Sequence, residues 1–239
     1  MNMVQNKKSH GKFCHGISAA VLKWIAVLSM LTDHFAVAVY QYLPGRSAGV
    51  YHALRGIGRI AFPIYCFLLA EGFFHTKSVW RYLRNLLLFA LLSEIPFNMA
   101  VFGHIFYLKG QNVYFTLALG LCAMLLLKRF EGFSAPRLLA QAAVAAVFLL
   151  LGQQLEVDYH WKGIAYIILF YYLKNFQLKQ GVSALIGAAA FAVYEKEAVF
   201  AFLPIYFYNG ERGRQPKYLF YAIYPLHLAV FGILRLWLM

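Results

Sequence analysis

A chain of 239 residues that is 62% hydrophobic and only 13% charged is too apolar for a soluble domain, in which roughly a quarter of residues carry charge. Its apolar residues fall into blocks of about 17–22, the length that crosses a bilayer core. The expected fold is therefore an all-α polytopic transmembrane bundle held in the lipid bilayer. A formal charge of +13 would point to nucleic acid in a soluble protein; in a membrane protein it is loop charge that sets topology, and no nucleic-acid partner is expected.

Residues 1–21 read as a basic tail and 22–239 as one transmembrane domain. In the tail, His10, Cys14 and His15 match no zinc spacing well, and no metal is expected. The cysteines Cys14, Cys66 and Cys122 are odd in number and scattered, which argues against a disulfide framework. The basic start, the apolar stretch and Ala36-Val37-Ala38 resemble a secretion signal. Asp33 and His34 interrupt its apolar core, however, and the segment is read as a first helix that is retained.

Nine helices are expected, within a range of eight to ten. They lie near 22–42, 56–75, 83–102, 112–128, 137–153, 161–175, 181–195, 198–208 and 218–238, with ends good to about 2–4 residues. Placing the N-terminus in the cytoplasm gathers Lys7, Lys8, Lys12, Lys23, Lys77, Arg81, Arg84, Lys128, Arg129, Arg137, Lys174, Lys179, Arg212, Arg214 and Lys217 on the inner side. The outer side keeps only Arg46, Arg55, Lys109, Lys162, Lys196 and Arg235. This is the positive-inside pattern, and it predicts the cytoplasmic membrane with the N-terminus inside.

Polar residues at membrane depth are the candidate site, because lipid cannot solvate them. Asp33 and His34 come first, in W-I-A-V-L-S-M-L-T-D-H-F. An ionisable residue there costs roughly 2.5–3.5 kcal/mol on insertion scales. His34 suits a general base, since an ordinary imidazole titrates near pH 6.5. Asp33 is the obvious orienting carboxylate, yet neighbouring helical residues point about 100° apart, so an arginine or a backbone group on another helix is the other candidate partner. A buried pair that only joins two helices is the structural alternative.

In the second helix His52, Arg55 and Arg59 share a face by i, i+3, i+7 spacing. Arg55 reads as an interfacial anchor, and Arg59 as the group that binds an anion or pairs with Asp33. The glycines of G-I-G-R allow close helix approach. Glu71 and His75 form a polar face on the inner part of the same helix. Glu94 and Asn98 do so in the third, with Pro96 between them freeing a backbone carbonyl. Asn112 and Thr116 open the fourth helix, Asp158 and Tyr159 precede the sixth, and His227 lies mid-membrane in the last. The basic loop Y-N-G-E-R-G-R offers either phosphate binding or topology charge alone. Glu71, Glu94, Asn98, Asn112, Asp158 and His227 form the substrate-binding set.

The order of these motifs carries a resemblance. L-K-W-I-A-V-L-S-M-L-T-D-H-F is followed by G-R-I-A-F-P-I-Y-C-F-L-L-A-E-G-F-F-H-T and L-L-S-E-I-P-F-N. N-V-Y-F-T-L-A-L-G, D-Y-H-W-K-G and Y-N-G-E-R-G-R…Y-P-L-H come later. From about Leu22 onward the chain resembles the TraX family, named after the F-pilin acetylase of conjugation systems. That family is in turn similar to the transmembrane acyltransferases, which place a histidine late in their first helix. The resemblance implies an acetyltransferase that takes acetyl-CoA as co-substrate from the cytoplasm, with His34 as base, aided by Asp33 and Arg59. It implies phosphate contacts from Arg81, Arg84, Arg212, Arg214 and Lys217. The acceptor would be an amine or hydroxyl on a peptide N-terminus, a sugar or a small molecule. His160 stands where the family pattern has glycine. A proton-coupled transporter is the rival expectation, since intramembrane His, Asp and Glu also build proton relays.

Overall fold

The computed structural model describes residues 16–216 and 218–239. The tail residues His10, Cys14 and His15, where no metal is expected, and the phosphate candidate Lys217 lie outside the described residues. Ten α-helical segments follow in order: α1 Ala19–Ala38, α2 Ala48–Gly58, α3 Ala61–His75, α4 Val79–Phe97, α5 Val113–Arg129, α6 Ala135–Gln154, α7 His160–Asn175, α8 Gln180–Ala192, α9 Phe202–Tyr206 and α10 Leu219–Leu238. Counting α2 and α3 as one broken helix gives the nine expected. Among the described residues the only β pairing is two isolated bridges, Ile17 with Tyr208 and Gln111 with Val157. Among the described residues, five helical stretches are long and apolar enough to cross a membrane: Ala19–Tyr42, Ala48–His75, Val79–Phe102, Ala135–Gln154 and Leu219–Leu238.

The second helix begins at Ala48 rather than near residue 56, and it breaks at Arg59 and Ile60. Pro63 is the cause. It has no N–H to give the Arg59 carbonyl, and its ring crowds that carbonyl. Pro225 acts differently in α10. The Tyr221 carbonyl it leaves free accepts from the Tyr114 hydroxyl at 3.2 Å, which ties α5 to α10. After Pro96, α4 widens into a π-turn, Asn98–Phe102, closed by Gly103 at φ +75°. Arg235 of α10 caps this turn by donating to the Ala100 and Val101 carbonyls at 2.9 and 2.5 Å.

The core runs through α1, α3, α5 and α7, where Leu22, Ala26, Ile64, Leu121, Ile164 and Ile167 are fully buried. Helix α1 packs on α2, α3 and α10, and α10 also lies along α4. Helix α6 is peripheral, with Leu139 and Leu150 more than half exposed. The start of α1 is pinned at one end of the bundle. The Ile17, Ala19 and Ala20 amides donate to the Phe207, Glu211 and Arg212 carbonyls, which satisfies part of the helix N-terminus. This end also holds Lys77, Arg81, Lys128, Arg129, Lys174 and Arg212, and is here termed the basic face.

The loop into α7 carries two consecutive left-handed residues, Tyr159 at φ +63° and His160 at φ +47°. A side chain in that region costs roughly 1–2 kcal/mol relative to glycine. The exposed His160 is therefore expected to be improved upon: His160→Gly should raise the thermal midpoint by a few degrees. A lower midpoint in a melting assay would show that the imidazole earns its place by a contact.

Candidate active site

Halfway across the bundle His34 meets His227. The His34 Nδ1 to His227 Nε2 separation is 2.6 Å, and His227 Nδ1 lies 2.7 Å from the Ile223 carbonyl oxygen. Tyr224 packs edge-on against both rings at 5.9 and 5.7 Å between centroids. Sequence reading placed His227 among residues lining the acceptor side; the fold instead sets it against His34.

Asp33 turns away from His34 toward α2, where its Oδ2 accepts from Arg55 Nη1 at 2.5 Å. Asp33 thus meets an arginine on another helix, as one of the two sequence readings had it, but that arginine is Arg55 rather than Arg59. Arg59 lies past the α2 terminus and pairs with Glu195 at 3.4 Å. Glycine makes the α1–α2 approach possible. A Cβ on Gly58 would collide with the Asp33 side chain, and Ser29 Oγ donates to the Ile57 and Gly58 carbonyls at 2.7 and 3.1 Å.

Asp158 and Tyr159 join this polar cluster from the loop before α7. The Asp158 backbone carbonyl accepts from Thr116 Oγ1 at 2.6 Å, and its Oδ1 accepts from the Tyr159 amide at 3.1 Å. Phe62 stacks on Tyr159 with centroids 3.7 Å apart. Burial and the nearby Asp33 carboxylate push the Asp158 carboxyl up to about 7, against the pull of Arg59. Burial likewise raises Glu195, opposed by Arg59. A carboxyl whose folded value is raised favours the folded state at low pH, and that advantage is lost as pH climbs from about 4 to about 7. Asp158→Asn, which keeps the acceptor for the Tyr159 amide, should therefore stabilise the protein at pH 8 and leave it unchanged at pH 4. Equal effects at both pH values in a melting series would contradict this.

A second polar group lies nearby. Asn112 caps α5 by accepting from the Tyr114 amide, and its Nδ2 donates to the Ala90 carbonyl at 2.8 Å and to Glu94 Oε2 at 2.6 Å. Asn98 is buried at the start of the π-turn, with its Oδ1 lacking a hydrogen-bond partner among the described residues. Of the residues read from sequence as substrate-binding, Glu94, Asn98 and Asn112 lie together, whereas Glu71 does not join them. It sits toward the basic face, where Lys174 Nζ approaches to 2.5 Å and His75 Nδ1 to 3.7 Å.

A cavity of about 750 Å³ opens on the basic face. Lys23, Lys77, Arg81, Arg212 and Glu71 line it toward the basic face, its mouth, with Tyr221 beside Phe220 at the level of Lys23, and Tyr65, Tyr114 and Leu117 lie toward mid-bundle, at its inner end. That end abuts the histidine layer. Tyr114 packs edge-on against Tyr224 at 4.9 Å, and Tyr65 Oη reaches Met30 Sδ, one turn before His34, at 3.8 Å. Lys23 donates to Gln215 Oε1 at 2.5 Å, a neutral partner. Among the described residues no carboxylate forms a salt bridge with Lys23, Arg81 or Arg212, so the mouth carries net positive charge suited to phosphates. Of the phosphate candidates read from sequence, Arg81 and Arg212 line the cavity, while Arg84 and Arg214 are exposed outside it. Lys23, Arg55 and Glu195 were not singled out as site residues. Lys23 reads from sequence as topology charge, and nothing in the sequence sets Glu195 apart.

Among curated proteins the chain is similar to "Probable fimbrial assembly protein FimC, serogroup H1" of Dichelobacter nodosus, with 29% identity over 240 residues, 89% of this chain and 93% of the relative. No solved structure matches. The family model described as TraX protein matches residues 18–235, and the chain belongs to that family.

Proposed function

We propose that this protein is an integral membrane acetyltransferase that moves an acetyl group from acetyl-CoA to an amine or hydroxyl acceptor. The observation that carries the reading is the cavity: basic at its mouth, tyrosine-lined at its inner end, and ending against the layer that holds His34. Its charge fits the CoA phosphates, and its inner end, lined by Tyr65, Tyr114 and Leu117, fits the acyl arm. The basic face would be cytoplasmic by the positive-inside rule, which puts the donor where acetyl-CoA is made.

His34 acts as the base. As the acceptor heteroatom bonds the thioester carbonyl carbon, its proton passes to His34 Nε2. The C–S bond breaks, and the imidazolium returns that proton to the departing sulfur, so the enzyme ends unchanged. The Asp33, Arg55, Arg59, Asp158 and Glu195 cluster, with Glu94, Asn98 and Asn112, lines the acceptor's approach from the opposite half. The fimbrial assembly name of the Dichelobacter nodosus relative supports a setting beside pilus assembly, with a surface-appendage subunit as acceptor.

The test is steady-state thiol release from acetyl-CoA. Arg81→Ala and Arg212→Ala should each raise KM for acetyl-CoA about 10-fold or more, the worth of one charge-assisted hydrogen bond, with kcat little changed. Unchanged KM in both variants would remove the cavity from the donor path. Uptake of a solute into proteoliposomes driven by a pH gradient, without CoA chemistry, would favour the carrier instead.

A further inference from the structure

The hydrogen bonds around His34 fix which of its nitrogens carries hydrogen. His227 Nδ1 lies 2.7 Å from the Ile223 carbonyl oxygen, one turn back on α10. A carbonyl only accepts, so Nδ1 is the protonated nitrogen of His227, and in the neutral ring Nε2 holds a lone pair. That lone pair lies 2.6 Å from His34 Nδ1, so His34 donates through Nδ1. Its Nε2 is left as a bare lone pair. The two rings are tilted by only 10°, and Tyr224 wedges against both, so neither can rotate freely. Phe231 closes the far side of His227 at 5.7 Å.

We infer that His227 is a positioning residue, holding His34 in the Nδ1–H tautomer so that Nε2 is free to take the acceptor's proton. The inference rests on the acetyltransferase reading and adds the device that makes His34 a base. In soluble triads a carboxylate orients the catalytic imidazole. Here the adjacent carboxylate, Asp33, is committed to Arg55, and a neutral imidazole backed by a backbone carbonyl takes its place. No second charge then has to be buried at membrane depth. The arrangement is also a dead end for protons. His227 Nδ1 already gives its hydrogen to a carbonyl, so a proton gained at His34 Nε2 leaves by the same nitrogen, to the CoA sulfur. A proton-conducting relay would need an onward acceptor, and the Ile223 carbonyl is not one.

Two variants and one spectrum test this. His227→Leu removes the acceptor and leaves an apolar side chain suited to the bilayer. His227→Gln keeps an oxygen that can accept from His34 Nδ1. The expectation is a fall in kcat of about 10–100-fold for the leucine variant, the usual cost of losing a histidine's orienting partner. KM for acetyl-CoA should be unchanged, and most of kcat should return with glutamine. Histidine ¹⁵N NMR on the purified protein reads the tautomer directly, whether or not acetyl-CoA is turned over. His34 should show an unprotonated Nε2 in wild type and gain Nε2–H in His227→Leu. Wild-type kcat in the leucine variant, or equal loss in leucine and glutamine variants, overturns the positioning role, as does a protonated Nε2 in wild type. If the tautomer behaves as stated but wild type does not consume acetyl-CoA, the acetyltransferase reading fails while the positioning role stands.

Discussion

His34→Ala is expected to lower acetyl-CoA turnover by about 10²–10⁴-fold, the usual contribution of a positioned general base, while acetyl-CoA still binds. The separation of the two effects follows from the geometry. His34 does not line the basic cavity, which reaches it only through Tyr65, Tyr114 and the Tyr224 layer. Removing the imidazole therefore leaves Arg81 and Arg212, the proposed phosphate ligands, untouched, and KM should hold while kcat falls. A loss shown mainly in KM would mean that His34 binds substrate rather than moving its proton.

The second large effect is on stability. Arg55→Leu leaves the Asp33 carboxylate in a helix interface with its charge uncompensated. Breaking a buried pair in this way costs about 3–5 kcal/mol. The side chains here are 26% and 17% exposed, so the low end of that range is expected. The double variant Arg55→Leu with Asp33→Asn should recover most of the loss, because it removes the stranded charge along with its partner. Denaturation of the four proteins in a double-mutant cycle measures the coupling. An Arg55→Leu protein as stable as wild type would mean that Asp33 finds another counter-charge, with Arg59 the nearest candidate.

The elements that sequence reading placed well are those whose position follows from solvation. Asp33, His34, Glu94 and His227 are ionisable groups inside apolar runs, and lipid gives them no partner but the bundle interior. The pairings among them were less legible. Arg59 looked better than Arg55 as a partner for Asp33 because it lies four residues deeper in an imagined continuous helix. The break that Pro63 imposes at Arg59 and Ile60 ends that register, and Arg59 swings to Glu195, 136 positions along the chain. Glu195 and Lys23 could not be told from ordinary loop charge, since their roles depend on contacts made only after folding. The start of the second helix at Ala48 was missed because G-R-S-A-G-V-Y-H is polar and glycine-rich, a composition that reads as loop. One local signal was legible: His160, marked as standing in a glycine's place, does occupy a left-handed backbone position.

Glycine and proline together explain why the site sits where it does. Gly58 lets α2 close on Asp33, and Pro225 frees the carbonyl that anchors Tyr114 beside the cavity's inner end. Neither residue contributes chemistry, yet Gly58 sets the α1–α2 spacing around Asp33, and Pro225 the place of Tyr114 between the cavity and Tyr224.

Acetyl transfer at His34 is tested most directly by thiol release from acetyl-CoA by the purified wild-type protein in detergent, with His34→Ala run beside it. Release should saturate with acetyl-CoA in wild type and be lost in the variant, and acetyl-CoA should raise the melting temperature of both. No release and no melting shift in wild type would contradict such transfer, and would leave the basic cavity without the donor assigned to it.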